Sequence, residues 1–153
     1  INKYLSVSFN LGFTLLEFII VIAIILMLAG GGVLLYSKFH ISSQLNENTT
    51  QIIQTLRIAR EHAAARVNDA NHGVYFNAST RTYTLYQGSC YTTCGPTIIR
   101  DTILDPVLSL SATIDVNFTK GAGAATPTTI TLTHVNDGSR VISINGFGVA
   151  EQQ

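Results

Sequence analysis

The sequence predicts an α+β fold in which a long N-terminal α-helix packs on a C-terminal antiparallel β-sheet head. Two observations predict it. No proline interrupts residues 13–70, so a helix can run through them without a break. Beyond residue 71 the spacing of apolar residues changes from about 3.6 to about 2, the period of strands. A helix followed by several strands is the element order of an α+β protein whose sheet covers the apolar stripe of its helix.

The 153-residue chain carries few charges, and they are unevenly distributed. Nine basic and nine acidic residues give zero net charge and a charged content of 12%, whereas soluble domains have about 25%. Residues 1–37 contain only two charged residues, Lys3 and Glu17. Because non-specific nucleic-acid binding relies on a surplus of Lys and Arg, this composition argues against a nucleic-acid partner.

Twenty consecutive uncharged residues, 18–37, follow Glu17. As a helix they would span about 30 Å, the hydrocarbon thickness of a bilayer. A buried core helix is one alternative, but it rarely needs eleven unbroken apolar residues. A cleaved secretory signal is the other, but such a signal begins with a positively charged region, and residues 1–12 contain only one lysine. The sequence therefore predicts a membrane helix. Glu17 either marks the membrane edge or needs a positive partner, because an acidic group inside the hydrophobic segment raises the free energy of membrane insertion by about 2.5–3.5 kcal/mol.

Residues 10–17, NLGFTLLE, and the apolar run after them resemble the class III signal of type IV pilins and type II secretion pseudopilins. The resemblance implies that a prepilin peptidase cuts between Gly12 and Phe13 and that the new N-terminus, Phe13, is methylated. It also implies that Glu17 pairs with the N-terminal amine of a neighbouring subunit during filament assembly. That amine would be the positive partner that the buried carboxylate requires.

We expect four segments: a leader peptide at 1–12, a transmembrane and filament-core helix at 13–36, an amphipathic helix at 37–70 and a β-rich head at 71–153. Three glycines at 30–32 should bend or melt the helix, because each costs about 1 kcal/mol relative to alanine. Gly73 should end it as a left-handed cap. The apolar stripe of the second half comprises Leu45, Ile52, Leu56, Ala59, Ala63 and Val67.

Runs rich in aromatic and β-branched residues predict six strands in the head. They are Val74–Asn77, Thr82–Gln87, Ile98–Leu104, Thr113–Phe118, Thr129–His134 and Arg140–Asn145. This order resembles the H-type minor pseudopilins and FimT-type minor pilins, and residues 73–77 and 141–146 look like the first and last strands of that family. Some FimT-type proteins bind DNA through arginines after the final glycine, but residues 146–149 contain none.

Cys90 and Cys94 favour a disulfide over a metal site or free thiols. A zinc site needs four ligands, and the chain has no second cysteine pair and only scattered histidines. If the head faces the oxidising exterior, a disulfide is the default. Asp101 and Asp105 alone supply too few oxygen ligands for a calcium site. The arginines of the second helix half, beside Glu61, indicate a face of the helix that is exposed to solvent. We therefore predict no catalytic residue, no metal and no cofactor.

Together these features predict a non-enzymatic structural subunit, a minor pseudopilin of a type II secretion pseudopilus. It would cross the bacterial inner membrane once, with its head on the periplasmic side, before it enters a filament. Its partners would be other pilin or pseudopilin subunits, the prepilin peptidase, the inner-membrane assembly platform and the lipid bilayer. Two alternatives remain open: a minor pilin of a type IV pilus or DNA-uptake fibre, and a single-pass membrane protein whose β-rich head binds a ligand.

Overall fold

The structure, a computed structural model, describes residues 14–153, with only the backbone described for residues 29–37. The predicted cleavage and methylation site at Gly12 and Phe13 lies outside the described residues. The chain divides into two compact units between Lys38 and Phe39.

Helix α1 runs from Leu15 to Ala64. It continues through residues 30–32, where the sequence suggested a bend or melting. Extending an existing helix adds one hydrogen bond for each residue that is fixed, so helix formers on both sides can carry the helix across three glycines. Melting at these glycines inside a filament stays a prediction. Among the residues that the structure describes, no helix has the length and hydropathy needed to cross a membrane.

The helix ends earlier than predicted, and glycine does not end it. A short 3₁₀ turn, Val67–Asp69, follows α1, and Arg66, Asn68 and Asp69 adopt left-handed backbone angles there. Asn and Asp tolerate this conformation better than most residues, because their short side chains hydrogen-bond locally. The prediction that Gly73 caps the helix is wrong, since that residue lies within the first strand.

The head contains eight strands, six of them near their predicted positions. They are β1 (His72–Asn77), β2 (Thr82–Gln87), β3 (Thr97–Ile103), β4 (Leu108–Leu110), β5 (Ile114–Phe118), β6 (Thr128–His134), β7 (Ser139–Ile144) and β8 (Ala150–Gln152). Strands β4 and β8 were not predicted, because three residues are too few to show a period of 2.

The strands form two four-stranded antiparallel sheets rather than the single sheet expected. The first has the order β3-β2-β1-β5 and the second the order β4-β6-β7-β8. The chain passes to the second sheet for β4, returns to the first for β5, and then completes the second. Alternation along a strand predicts which face is buried but not which strand is its neighbour, so the division was not visible in the sequence. The predicted α+β class is confirmed.

The helix residues 45–63 and both sheets enclose one hydrophobic core. Five of the six predicted stripe residues are buried: Leu45, Ile52, Leu56, Ala59 and Ala63. The sixth, Val67, is exposed, because the helix has already ended. Thr49 and Thr55 are also buried on this stripe, and the Thr55 hydroxyl donates a hydrogen bond to the carbonyl of Gln51 at 2.9 Å. The side chains of the first sheet in the core are Val74, Phe76, Tyr83, Leu85, Val116 and Phe118.

Candidate functional site

Residues 15–28 of α1 present an apolar surface, here called the apolar helix surface. Every large apolar side chain between residues 15 and 28 is at least 40% exposed in the single chain. They are Leu15, Leu16, Phe18, Ile19, Ile20, Val21, Ile22, Ile24, Ile25, Leu26, Met27 and Leu28. Soluble monomers rarely expose so many neighbouring apolar side chains, because burial stabilises a protein by about 25 cal/mol per Å² of apolar area. The surface therefore favours contact with an apolar environment, either lipid or other helices.

Glu17 is the only charged residue among residues 14–28 and lies in the first turn of α1. Its backbone N–H donates to Oγ1 of Thr14 at 3.3 Å, and the N–H of Phe18 donates to the Thr14 carbonyl at 3.2 Å. Thr14 and Glu17 thus follow the T-x-x-E pattern of a capping box, a local signal in the sequence that was not used to predict the start of the helix. Within residues 14–153, no cation lies within ion-pair distance of Glu17.

The cysteine loop lies between β2 and β3. Cys90 and Cys94 form a disulfide with a Cα–Cα separation of 5.4 Å. Between them, the ring of Tyr91 stacks on Tyr75 with centroids 4.1 Å apart and meets Tyr86 edge-on at 5.5 Å. These contacts fasten the disulfide loop to the face of the first sheet that points away from the core.

A hydrogen-bonded tyrosine anchors the same region. The Tyr86 hydroxyl donates to Oδ1 of Asp115 at 2.6 Å and accepts from Nδ2 of Asn117 at 3.0 Å. The other carboxylate oxygen of Asp115 accepts the backbone N–H of Tyr91 at 3.0 Å. Burial, followed by the hydrogen bond to Asp115, raises the pKa of Tyr86. The phenol is therefore a neutral donor at physiological pH, suited to holding the loop rather than to transferring protons.

Two histidines meet where the end of α1 approaches β1. The rings of His62 and His72 lie edge to face with centroids 5.3 Å apart. His72 is fully buried, and neither of its ring nitrogens has a hydrogen-bond partner among the described residues. Desolvation, and then the nearby His62, lowers the pKa of His72, so its ring is neutral at physiological pH. Within the described part of the chain, no group of three or more His, Cys, Asp and Glu is placed to hold a metal.

The other polar candidates have local structural roles. Oδ1 of Asp105 accepts the backbone N–H of Val107 at 3.1 Å and so stabilises a turn. Arg57, Glu61 and Arg66 are exposed as the sequence predicted. Arg60 is half-buried instead, because its Nε donates to the carbonyl of Phe147 at 3.0 Å and ties the last turn of the head to α1.

A long helix that exposes an apolar N-terminal surface and packs its second half on an antiparallel β head defines a pilin-like subunit fold. Over 72% of this chain, two solved structures of the minor pseudopilin EpsH from the type II secretion system of Vibrio cholerae have a similar fold, with TM-scores of 0.57 and 0.56. Sequence identity is 16% in both cases, and the matches cover 72% of this chain and 96% and 93% of the EpsH chains. The pseudopilin-like fold implied by the resemblance is thus confirmed. The sequence matches no protein-family model and no curated protein.

Proposed function

We propose that this protein is a structural subunit of a pilin-like filament, namely a minor pseudopilin of a type II secretion pseudopilus. The observation that carries the proposal is the apolar helix surface, with Glu17 as its only charge, on a chain with a pseudopilin-like fold. A surface of this kind can be covered by the equivalent helices of neighbouring subunits. The proposed role requires no enzymatic activity, and an assembly ATPase elsewhere would supply the motion.

Processing by a prepilin peptidase would cut the chain between Gly12 and Phe13. The new N-terminus would then lie two residues before the start of α1, at Leu15. Pairing between the carboxylate of Glu17 and the amine of a neighbour's Phe13 would neutralise both charges within an apolar bundle, where an unpaired charge is costly. This pairing would fix the position of each added subunit along the helix of its neighbour.

Before assembly the subunit would be held in the bacterial inner membrane by residues 13–36, with its head on the periplasmic side. The partners at this stage would be the lipid bilayer, the peptidase and the inner-membrane assembly platform. The disulfide between Cys90 and Cys94 supports this orientation, since disulfides persist in oxidising compartments such as the periplasm.

Mass analysis of the N-terminus tests the processing step. In cells with an active prepilin peptidase, we expect a mature chain that begins with methylated Phe13. In cells without the peptidase, residues 1–12 should remain attached. An intact leader in peptidase-positive cells would contradict the proposal and favour a membrane protein that never polymerises.

A matched pair of substitutions separates assembly from helix capping. Glu17→Gln removes the charge but keeps a residue that suits the capping box, and Thr14→Ala removes the cap but keeps the carboxylate. We expect Glu17→Gln to lose most incorporation into fibres, whereas Thr14→Ala should retain it, with membrane fractionation of both unchanged. Normal incorporation of Glu17→Gln would refute the assembly role. Whether the fibres copurify with secretion or pilus components distinguishes a pseudopilin from a type IV minor pilin.

A further inference from the structure

A groove of about 210 Å³ opens between α1 and the β2–β3 edge of the first sheet. Its polar lining comprises Gln51, Gln54, Thr55, Tyr83, Arg100 and Thr102. Arg100 and Thr102 pair with Leu85 and Tyr83 of β2, whose buried side chains face the core. Opposite residues of paired strands point to the same face, so both β3 side chains are directed to the helix side and border the groove.

Arg100 is held in place but lacks a charged partner. Its Nη2 donates to Oγ1 of Thr55 at 3.1 Å, and that hydroxyl in turn donates to the carbonyl of Gln51. Asp101 points to the opposite face of β3, and within residues 14–153 no carboxylate forms an ion pair with Arg100. The remaining N–H groups of the guanidinium are available to a ligand, and their fork geometry matches a carboxylate.

Tyr83 adds a second hydrogen-bonding side chain to the groove. This residue is only 3% exposed, yet it lines the groove. Its hydroxyl has no hydrogen-bond partner in the part of the chain that the structure describes, and it is not one of the buried polar atoms that lack a partner, so the oxygen is accessible from the groove. A polar group that entered the groove would be in position to accept a hydrogen bond from it.

The open side of the groove is bordered by a free strand edge. β3 is the outermost strand of its sheet, contains no proline and carries one positive and one negative side chain, Arg100 and Asp101. Three of its side chains are exposed and apolar: Ile98 at 52%, Ile99 at 44% and Ile103 at 76%. Unpaired N–H and C=O groups along such an edge are a template for an added strand.

We propose that β3 and this groove form a docking site for an extended, acidic segment of another polypeptide. The segment adds a strand to β3, and a side chain opposite or diagonal to Arg100 points into the groove. A carboxylate there accepts hydrogen bonds from Arg100 and from the hydroxyl of Tyr83. Charge complementarity selects an acidic segment, because Arg100 is the only charged side chain among the described residues that line the groove. The site lies within residues 39–153. Binding at this site is separate from the assembly role proposed for the apolar helix surface.

Peptide binding to the full chain in detergent micelles tests this site. The probes are fluorescent, terminally blocked heptapeptides, Thr-Val-Thr-Glu-Thr-Val-Thr and the same peptide with Gln in place of Glu. From fluorescence anisotropy we expect the Glu peptide to bind about tenfold more tightly, the effect of one charge-assisted hydrogen-bonded pair. Equal dissociation constants for the two peptides on the unaltered chain would overturn the proposal.

Variants then assign the preference to the groove. Arg100→Gln should abolish the difference between the two peptides, whereas Arg57→Gln, which removes an exposed arginine of α1 outside the groove, should preserve it. Tyr83→Phe should weaken the Glu peptide several-fold, which provides a test should Arg100→Gln fail to fold. A Glu peptide N-methylated at alternate backbone amides should bind more weakly. Undiminished binding of that peptide, or a preference that survives Arg100→Gln, would contradict the proposed mode.

Discussion

Gly73 and Tyr86 lie opposite each other on β1 and β2, and the tyrosine ring occupies the space that a side chain on Gly73 would need. A Cβ atom built on Gly73 would lie 2.5 Å from the hydroxyl oxygen of Tyr86 and 2.6 Å from its Cζ. Glycine within a strand often marks such a close approach. The missing side chain lets Tyr86 reach Asp115 and Asn117, the contacts that anchor the disulfide loop.

Gly73→Ala should therefore destabilise the head. The added methyl group must displace a buried ring, which typically costs about 1–3 kcal/mol. Urea unfolding of the full chain in micelles, followed by near-ultraviolet circular dichroism of the tyrosines, measures this loss. The matched control is Gly146→Ala, where the nearest atom to the new Cβ would be Cγ of Pro127 at 3.8 Å, and we expect a change within about 0.5 kcal/mol. Equal stabilities of the two variants would contradict the packing role.

Tyr86→Phe tests the hydrogen bonds without disturbing the packing. Removing the hydroxyl leaves Asp115 and Asn117 without this partner, and we expect a loss of about 1–2 kcal/mol in the free energy of unfolding. Tyr75→Phe is the control, since the Tyr75 hydroxyl has no hydrogen bond among the described residues although its ring also stacks on Tyr91. Losses of the same size in both variants would show that the hydroxyl of Tyr86 has no particular role.

His72 should make the head less stable in acid. Because burial lowers its pKa, the unfolded chain binds more protons than the folded chain between that lowered value and about 6.5. The stability that the neutral His72 ring contributes is therefore fully present above about pH 6.5, and it is lost as the pH falls towards the pKa of His72 in the folded chain. Unfolding free energies measured from pH 8 to pH 5 should therefore decline more steeply for the native chain than for His72→Leu. Parallel pH profiles would contradict the assignment.

The disulfide should add a modest amount of stability. The chain-entropy relation for a loop as small as Cys90–Cys94 corresponds to about 2 kcal/mol. We expect the double variant Cys90→Ser and Cys94→Ser to lose that amount and to stay folded, because Tyr91 still anchors the loop to the sheet. Reduction of the native chain with dithiothreitol should have the same effect, and an unfolded double variant would show that the tyrosine contacts are insufficient.

Local patterns in the sequence determined much of this fold. The spacing of Leu45, Ile52, Leu56, Ala59 and Ala63 identified the buried stripe of α1, because a helix meets one apolar environment with a period of 3.6. The bounds of β2, Thr82–Gln87, were predicted to the residue, since its aromatic and β-branched residues are bounded by turns. Glu17 stood out because a charge in an apolar run is costly whatever surrounds it.

Tertiary structure decided what depends on contacts between distant residues. The division into two sheets, the three-residue strands β4 and β8, and the burial of Thr49 follow from which elements come together, and no local period encodes that choice. In the sequence, Gly73 predicted a helix cap because glycine tolerates left-handed backbone angles. In the structure it is needed for its lack of a side chain, since Tyr86 on a neighbouring strand must occupy that space.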